Sequence, residues 1–379
     1  MIRLLTLLLI AALPLRAQTI DTAATAAMVI DHATGAILME KNADTPVPPA
    51  SMSKLMTLNM LFEALEEGRI DLDDTFPVSE NAHGYPGSTM FLETRHNPTV
   101  EDLIRGIVVL SGNDACIVVA EHLAGSESAF ADRMTARARE LGMEGSTFAN
   151  STGWPDENQR MSARDLVFLA DRMLTEFGEH YHYFAEREFT WNGITQPNRN
   201  PLLYASIGGD GLKTGHTEEA GYGLVGSAEQ DGRRVVFMIT GLDSTAARTN
   251  ESERIAAWAF REFDNATFYE EGQTVAEADI WLGDMASVPL VASRDVMATM
   301  PVRGAEDVTA RVVYDGPIAA PVAEGDHIAD LEIEVPGIGP VTVPLLAGAD
   351  VAEGGAMTRI LASSRIMVGR AFAAITGDG

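Results

Sequence analysis

The apolar residues of this chain change their spacing near Asn265, and this change excludes a single uniform fold. Residues 267–350 are rich in Val and Pro and contain short alternating runs, such as 331–335 and 341–343, between turns. Alternation with a period of two is typical of half-buried strands. The sequence therefore predicts a small all-β domain at 265–352, which follows a larger domain at 18–264.

The larger predicted domain mixes strands with helices. Two strands are predicted at 221–229 and 233–241, on either side of an Asp-Gly turn that favours a hairpin, and two more at 26–31 and 36–40. The fold class expected for this domain is therefore α+β. Apolar residues at helical spacing predict its helices at 51–68, 100–123, 126–141, 162–177 and 251–264.

Residues 1–17 are typical of a secretory signal peptide. Arg3 gives a short basic start, an apolar run extends from Leu4 to Leu15, and the small residue Ala17 precedes the expected cut. The apolar run is too short to favour a membrane-spanning helix. The sequence therefore predicts an exported, periplasmic protein.

The last segment, 353–379, predicts attachment to the outer face of the cytoplasmic membrane. Residues 356–375 contain no acidic side chain, and on a helix their apolar residues share one face while Arg359 and Arg370 lie nearly opposite. This pattern is typical of an interfacial amphipathic helix attracted to anionic lipid. A helix docked on the β domain and a fraying tail are the alternatives.

The charge and cysteine content exclude several classes of function. Acidic residues number 55 against 27 Lys and Arg, a net charge of −28, which disfavours a nucleic-acid partner. The single cysteine, Cys116, excludes an internal disulfide and a cysteine-cluster metal site. Because Cys116 lies in an apolar run, we expect a small core residue rather than a nucleophile. No metal or cofactor is predicted.

Lysine is rare in this chain, which makes each lysine a candidate functional group. Only three of the 27 basic residues are lysines, namely Lys41, Lys54 and Lys213. A lysine amine can lose its proton when its surroundings lower its pKa, whereas a guanidinium cannot. Lys54 and Lys213 are the candidates, because each lies in a motif that can carry chemistry. Compositional drift towards Arg is the alternative explanation for the low proportion of lysine.

Ser51 and Lys54 are separated by three positions at the start of the first predicted helix, which places them on the same face. Because a neutral amine can remove the proton of a serine hydroxyl, the pair is a candidate nucleophile and base. The helix N-terminus adds positive potential that favours an alkoxide. The alternative for Ser51 is a plain helix cap.

Ser111 and Asn113 flank Gly112 directly after an apolar run. A bend at this glycine can project both side chains into a cleft, where the hydroxyl of Ser111 passes protons and the amide of Asn113 binds a substrate amide. The alternative is a polar break in a helix.

The segment Lys213-Thr214-Gly215-His216 lies just before the predicted strand 221–229. Lys213 and Thr214 can hold a carboxylate, and Gly215 allows another backbone to approach closely, as when a peptide adds to a strand edge. A second cation near Lys54 is also expected to lower the pKa of Lys54. The alternative is a glycine-rich turn.

These three motifs, in this order, resemble those of the penicillin-binding proteins and serine β-lactamases. The layout of signal, catalytic domain, small β domain and terminal helix is similar to that of the low-molecular-mass D-alanyl-D-alanine carboxypeptidases. The resemblance implies a five-stranded antiparallel sheet beside a helical cluster, with the active site at one sheet edge. The segments that carry it are Pro49–Thr57, Leu110–Cys116, Asn198–Asn200 and Lys213–Ala228.

The resemblance also implies a role for each matching residue. Ser51 is the acylated nucleophile and Lys54 its base, and Ser111 serves proton transfer. The backbone N–H groups of Ser51 and His216 form the oxyanion hole. The residues implied in substrate binding are Asn113, Lys213, Thr214, Gly215, His216, Arg199 and Arg248.

The implied activity is removal of the terminal D-alanine from peptidoglycan stem peptides, with covalent inhibition by β-lactams. Other activities on the same site are a DD-endopeptidase and a β-lactamase, although a soluble lactamase needs neither the β domain nor the terminal helix. A catalytically silent cell-wall scaffold is the non-enzymatic alternative. The loop 150–160 carries Asp156 and Glu157, to which no deacylation role is assigned.

Overall fold

The computed structural model describes residues 20–303 and 307–355, which divide into two compact units between Arg261 and Glu262. The predicted signal peptide at 1–17 and the predicted helix at 356–375 lie outside the described residues. The first unit is a mixture of strands and helices, and the second consists of strands. The α+β class and the small all-β domain predicted from the sequence are thereby confirmed.

The first unit contains one long antiparallel sheet and a short hairpin. Three short 3-10 helices cover Ala50–Ser53, Gly178–Ala185 and Pro201–Tyr204. The remaining elements of this unit are β1 (Ala26–Asp31), β2 (Ile37–Lys41), α1 (Lys54–Glu66), α2 (Glu80–His83), α3 (Val100–Val108), α4 (Asn113–Ala124), α5 (Glu127–Glu140), α6 (Ala163–Thr175), β3 (Glu188–Trp191), β4 (Ile194–Pro197), β5 (Gly209–Thr217), β6 (Gly221–Gln230), β7 (Arg233–Leu242) and α7 (Thr245–Glu262).

The sheet has the strand order β2-β1-β7-β6-β5, with every neighbouring pair antiparallel. This is the five-stranded antiparallel sheet that the resemblance implied. Helix α6 packs on β1 and β7, and α1 packs between α6 and α4. The apolar face of α1, including Leu55, Leu58 and Phe62, is completely buried, so α1 is the centre of the helical cluster. Strand β5 is left at one edge.

Side-chain caps explain why several helices begin where they do. Thr99 and Asp102 form a reciprocal capping box at the start of α3. Ser126 and Ser162 accept hydrogen bonds from the backbone at the starts of α5 and α6. Both helices lie within two residues of the segments predicted for them.

Three predicted segments need correction. The continuous helix at 100–123 is two helices, α3 and α4, separated by a break at Ser111, whose φ is +59°. The helix at 251–264 begins earlier, at Thr245, so Arg248 lies on α7. The helix at 51–68 begins with a 3-10 turn, and α1 starts at Lys54.

The strands of the second unit are β8 (Phe263–Tyr269), β9 (Thr274–Trp281), β10 (Ser287–Ala292), β11 (Val296–Pro301), β12 (Thr309–Val313), β13 (Ile318–Ala319), β14 (His327–Val335) and β15 (Gly339–Ala347). Six of them form a sheet with the order β12-β14-β15-β10-β9-β13, in which the β13–β9 pair is parallel and the others are antiparallel. Strands β11 and β8 form a separate pair. The core of this unit is formed by the alternating apolar residues that predicted the strands, such as Leu331 and Ile333 of β14.

Candidate active site

The hydroxyl of Ser51 lies within hydrogen-bonding distance of the amine of Lys54, with 2.9 Å between Oγ and Nζ. Ser51 sits in the 3-10 turn and Lys54 is the first residue of α1, so the spacing of three brings the two side chains together. The alternative reading of Ser51 as a helix cap is not supported, because its side chain caps neither helical segment.

Lys54 is fully buried, and its surroundings favour the neutral amine. Burial lowers its pKa to about 8, with a smaller contribution from the positive charge of Arg199. The sequence predicts that the charge of Lys213 lowers the pKa of Lys54. Burial is instead the main cause, and Lys213 is not among the leading ones. The amine also donates to the carbonyl oxygen of Thr152. Near pH 8 the amine is therefore present in both protonation states, which suits a group that must accept and return a proton.

Ser111 and Lys213 form a second hydroxyl–amine pair, with 2.9 Å between Oγ and Nζ. Both residues are buried, although 102 positions separate them in the chain. Burial, and after it the charge of Lys54, lowers the pKa of Lys213 well below its ordinary value. The charge of one amine therefore affects the other, and each amine is hydrogen-bonded to a serine hydroxyl.

The break between α3 and α4 fixes the position of Ser111. Its positive φ is sustained by backbone bonds from the two residues that follow it, from Gly112 to Gly106 (2.8 Å) and from Asn113 to Ser88 (2.7 Å). The side-chain nitrogen of Asn113 donates to the Pro86 carbonyl at 2.7 Å. The break between the two helices is thus anchored to a neighbouring loop.

The segment from Lys213 to His216 lies on the edge strand β5, so it is not a glycine-rich turn. A Cβ at Gly215 would lie 3.0 Å from the Pro49 carbonyl oxygen and from a side-chain carbon of Met52. The backbone that approaches this glycine closely therefore belongs to the chain itself, where the turn bearing Ser51 packs on β5. His216 is exposed and its ring stacks on Tyr222, with 3.9 Å between the ring centroids.

Two arginines lie at the same cleft. Arg199 donates to the Ser88 hydroxyl at 2.8 Å, and burial lowers its pKa. Arg248 is only 6% exposed, and its Nε is buried with no partner among the described residues. Burial lowers the pKa of Arg248 too. A buried guanidinium with an unused donor is suited to an anionic ligand.

These residues enclose one cleft of about 480 Å³. Lys54, Asn113 and Lys213 lie buried beside it, where they are bonded to residues around the cleft. The structure thus brings all ten predicted site residues to one place. The cleft is lined by Ser51, Ser88, Ser111, Arg199, Thr214, Gly215, His216, Tyr222, Thr245 and Arg248.

Several residues that position the amine of Lys54 were not identified from the sequence. The carbonyl of Thr152 has no residue-type signal, but the preceding Asn150 does, since Asn favours local turns. Its Oδ1 accepts bonds from the backbone of Thr152, Gly153 and Trp154. Asp156, three positions past Gly153, does not line the cleft that holds Ser51.

Cys116 is completely buried in the core of the first unit, as predicted. Burial raises the pKa of its thiol to about 12, so the group stays protonated and is a poor nucleophile near neutral pH.

Comparison with known proteins identifies similar sequences over both units. Residues 14–244 match the family described as D-alanyl-D-alanine carboxypeptidase, and residues 263–353 match the penicillin-binding protein 5 C-terminal domain. The D-alanyl-D-alanine carboxypeptidase DacC of Escherichia coli is 35% identical over 341 residues, which cover 88% of this chain and 85% of that protein.

Two solved structures share the fold. Penicillin-binding protein 5 of Haemophilus influenzae superposes with a TM-score of 0.82 and 34% identity, covering 89% of this chain and 99% of that one. Penicillin-binding protein D2 of Listeria monocytogenes, in an ampicillin-bound form, gives a TM-score of 0.59 at 28% identity and covers 64% of this chain and 99% of that one.

Proposed function

Since the chain belongs to the D-alanyl-D-alanine carboxypeptidase family, a group of penicillin-binding serine hydrolases, we propose that Ser51 is its nucleophile and Lys54 the base. The observation that carries this assignment is the 2.9 Å hydrogen bond between the buried amine of Lys54 and the hydroxyl of Ser51. Burial lowers the pKa of the amine, which allows it to take the hydroxyl proton near neutral pH.

In the acylation step, Ser51 Oγ attacks the carbonyl carbon of the penultimate D-alanine while its proton passes to Lys54. The backbone N–H groups of Ser51 and His216 stabilise the tetrahedral oxyanion, and one such donor is typically worth about 3 kcal/mol. Ser111, bonded to Lys213, relays this proton from Lys54 to the nitrogen of the leaving D-alanine, the C–N bond breaks, and Lys54 is again neutral. Water then hydrolyses the ester and restores Ser51.

The substrate lies along the open edge of β5, since that strand has no partner on its outer side in the sheet order. The Asn113 nitrogen is already bonded to Pro86, so its oxygen accepts an N–H of the peptide. Lys213, Thr214, Arg199 and Arg248 supply donors for the terminal carboxylate. In a β-lactam the broken C–N bond is part of a ring, so the leaving group stays attached and deacylation is slow.

Incubation with a pentapeptide ending in D-Ala-D-Ala tests this function. Mass spectrometry should show loss of one alanine. Cleavage of a crosslinked dimer without loss of alanine from the pentapeptide would favour the endopeptidase. Rapid hydrolysis of penicillin would favour the β-lactamase, and failure to bind penicillin covalently would favour the silent scaffold.

Arg248→Ala should lower kcat/KM for a peptide with a free terminal carboxylate by about 10–100-fold, the value of one or two hydrogen bonds to a charged group. The expected cause is loss of the buried guanidinium at the carboxylate end of the cleft. The amidated peptide should be affected less, and steady-state kinetics with both peptides measures the difference.

Arg254→Ala is the matched control, because this arginine lies on the same helix but pairs with Glu251 at 2.7 Å. It should preserve the preference for the free carboxylate. Equal losses on the free and amidated peptides in Arg248→Ala would refute the assigned carboxylate contact.

We place the protein outside the cytoplasm, at the outer surface of the cytoplasmic membrane. This proposal is supported by the sequence of the two ends, namely the signal-like segment 1–17 and the basic, amphipathic segment 356–375. Within residues 20–303 and 307–355, no helix is long and apolar enough to cross a bilayer.

Deletion of residues 356–379 should release the protein from vesicles that contain anionic lipid while leaving peptide hydrolysis unchanged. The reason is that the deleted segment carries the apolar face and the three flanking arginines. Co-sedimentation with phosphatidylglycerol vesicles measures the effect. A truncated protein that still sediments would show that the anchor lies elsewhere.

A further inference from the structure

A carboxylate that the sequence did not single out is bonded to the segment that holds Lys54. Glu127 is the first residue of α5, and its Oε1 accepts hydrogen bonds from the backbone N–H (3.1 Å) and the hydroxyl (3.0 Å) of Ser151. Ser151 is completely buried. Glu127 therefore helps to fix the position of this segment.

The same segment is bonded to α1 at two points. The carbonyl oxygen of Ser151 accepts from the Thr57 hydroxyl at 2.6 Å, and the carbonyl oxygen of Thr152 accepts from the amine of Lys54. Thr57 is one helical turn after Lys54. Glu127 is thus linked to the amine of Lys54 through two consecutive residues: it is bonded to Ser151, and the next residue, Thr152, contacts the amine.

Charged and titratable groups face Lys54 from several elements. Burial is the main cause that lowers the pKa of Lys54, and the charge of Arg199 lowers it further. Cys116, Asp114 and Glu127 act in the opposite direction, in decreasing order. Lys213 is the other titratable neighbour. The oxygens of Asp114 accept bonds from Thr89, Met90 and Leu92, so they hold the adjacent loop. Glu127 is bonded instead to the segment that contacts the amine.

Glu127 itself faces Glu121, Tyr85 and Lys54. Burial raises its pKa, while the two bonds from Ser151 and the charge of Lys54 act in the opposite direction. Its negative charge in turn contributes to the raised pKa of Tyr85. The carboxylate and the amine therefore stabilise each other's charged forms.

We propose that Glu127 is a positioning residue for the base: it holds the Thr152 carbonyl against Lys54 and stabilises the ammonium that forms when Lys54 takes the proton of Ser51. The inference rests on the proposed function of Lys54. The proton balance is unchanged, because Glu127 neither gives nor receives the proton and acts through its charge and its two bonds to Ser151.

Glu127→Gln separates charge from geometry, since the amide oxygen can accept both bonds from Ser151 while the negative charge is lost. The measurement is the second-order rate of labelling by a fluorescent penicillin as a function of pH. In the unmodified protein the rate should rise with pH as Lys54 loses its proton. In Glu127→Gln the midpoint should move measurably to lower pH, because the amine loses a favourable negative charge.

Two further variants make the result specific. Glu121→Gln removes a carboxylate from the neighbouring helix α4 and should leave the midpoint unchanged. Glu127→Asp keeps the charge but is one methylene shorter, so the rate should fall at every pH with no acidic shift of the midpoint. These variants keep the test decisive if Glu127→Gln does not fold.

An unshifted midpoint in Glu127→Gln at matched ionic strength, or an equal shift in Glu121→Gln, would overturn the role of Glu127. If Glu127→Gln is unfolded, a Glu127→Asp variant with full activity and an unchanged midpoint would also overturn this role. Failure of the unmodified protein to be labelled at any pH would instead refute the proposed function of Ser51 and Lys54.

Discussion

Replacement of Ser51 by Ala should abolish covalent labelling by penicillin and leave the fold intact. The variant lacks the oxygen that forms the acyl bond, and the substitution removes the hydrogen bond that the Ser51 hydroxyl accepts from Lys54. Removal of the nucleophile of an acyl-transfer enzyme costs on the order of 10⁶-fold in kcat. Gel fluorescence after incubation with a fluorescent penicillin, together with peptide hydrolysis rates, measures both losses.

Ser53→Ala is the matched control, two positions along the same 3-10 turn. Its hydroxyl donates to the Ala50 carbonyl at 3.1 Å and is not bonded to Lys54. We expect this variant to be labelled. Stoichiometric labelling of Ser51→Ala would show that another residue is acylated and would contradict the assignment.

Lys54→Arg should lower the rate of acylation by about 10²–10⁴-fold, the usual contribution of a general base. Burial lowers the pKa of Lys54 to about 8, whereas a guanidinium stays protonated and cannot take the proton of Ser51. The substitution therefore removes the neutral form on which the proposed proton transfer depends. Stopped-flow or quenched labelling with penicillin between pH 6 and about 10 measures the rate.

Lys41→Arg is the control for this substitution. The amine of Lys41 donates to the Thr22 carbonyl at 2.7 Å, and Lys41 does not line the cleft of Ser51. Labelling should match that of the unmodified protein. Circular dichroism establishes that Lys54→Arg is folded, and a folded Lys54→Arg that is acylated at the normal rate would exclude Lys54 as the base.

The contact between Ser51 and Lys54 is predictable from the sequence because it is local. A spacing of three residues at a helix start brings two side chains to one face whatever the rest of the chain does. The pairing of Ser111 with Lys213 is different, since 102 positions separate the two residues. The resemblance to a known family implied that both residues belong to one active site, but the spacing in the chain does not predict their hydrogen bond.

The anchored break at Ser111 was not predictable from the sequence, because long-range bonds hold it. The apolar pattern continues from α3 into α4, and the positive φ of Ser111 depends on the bond from Asn113 to Ser88. The placement of Arg248 was missed for a related reason. The apolar spacing that marks a helix begins near residue 251, but the helix starts at Thr245, whose first turn faces the cleft.

The contact of Lys54 with Thr152 and the bonds of Glu127 to Ser151 were also absent from the sequence analysis. Any residue except proline offers the same backbone donor and acceptor, so no residue type marks these positions. A lone glutamate at the start of a helix is ordinary, and its link to Lys54 exists only once α5 and the segment 150–154 are packed together.

The central claim is that a neutral amine at Lys54 activates Ser51 for acyl transfer. Peptide mapping by mass spectrometry after reaction with penicillin tests it most directly, with the labelling rate followed across pH. We predict one penicilloyl group, located on Ser51, and a rate that rises through a midpoint near pH 8, where Lys54 loses its proton. An adduct on any other residue, or a rate that does not depend on pH in this range, would contradict the claim.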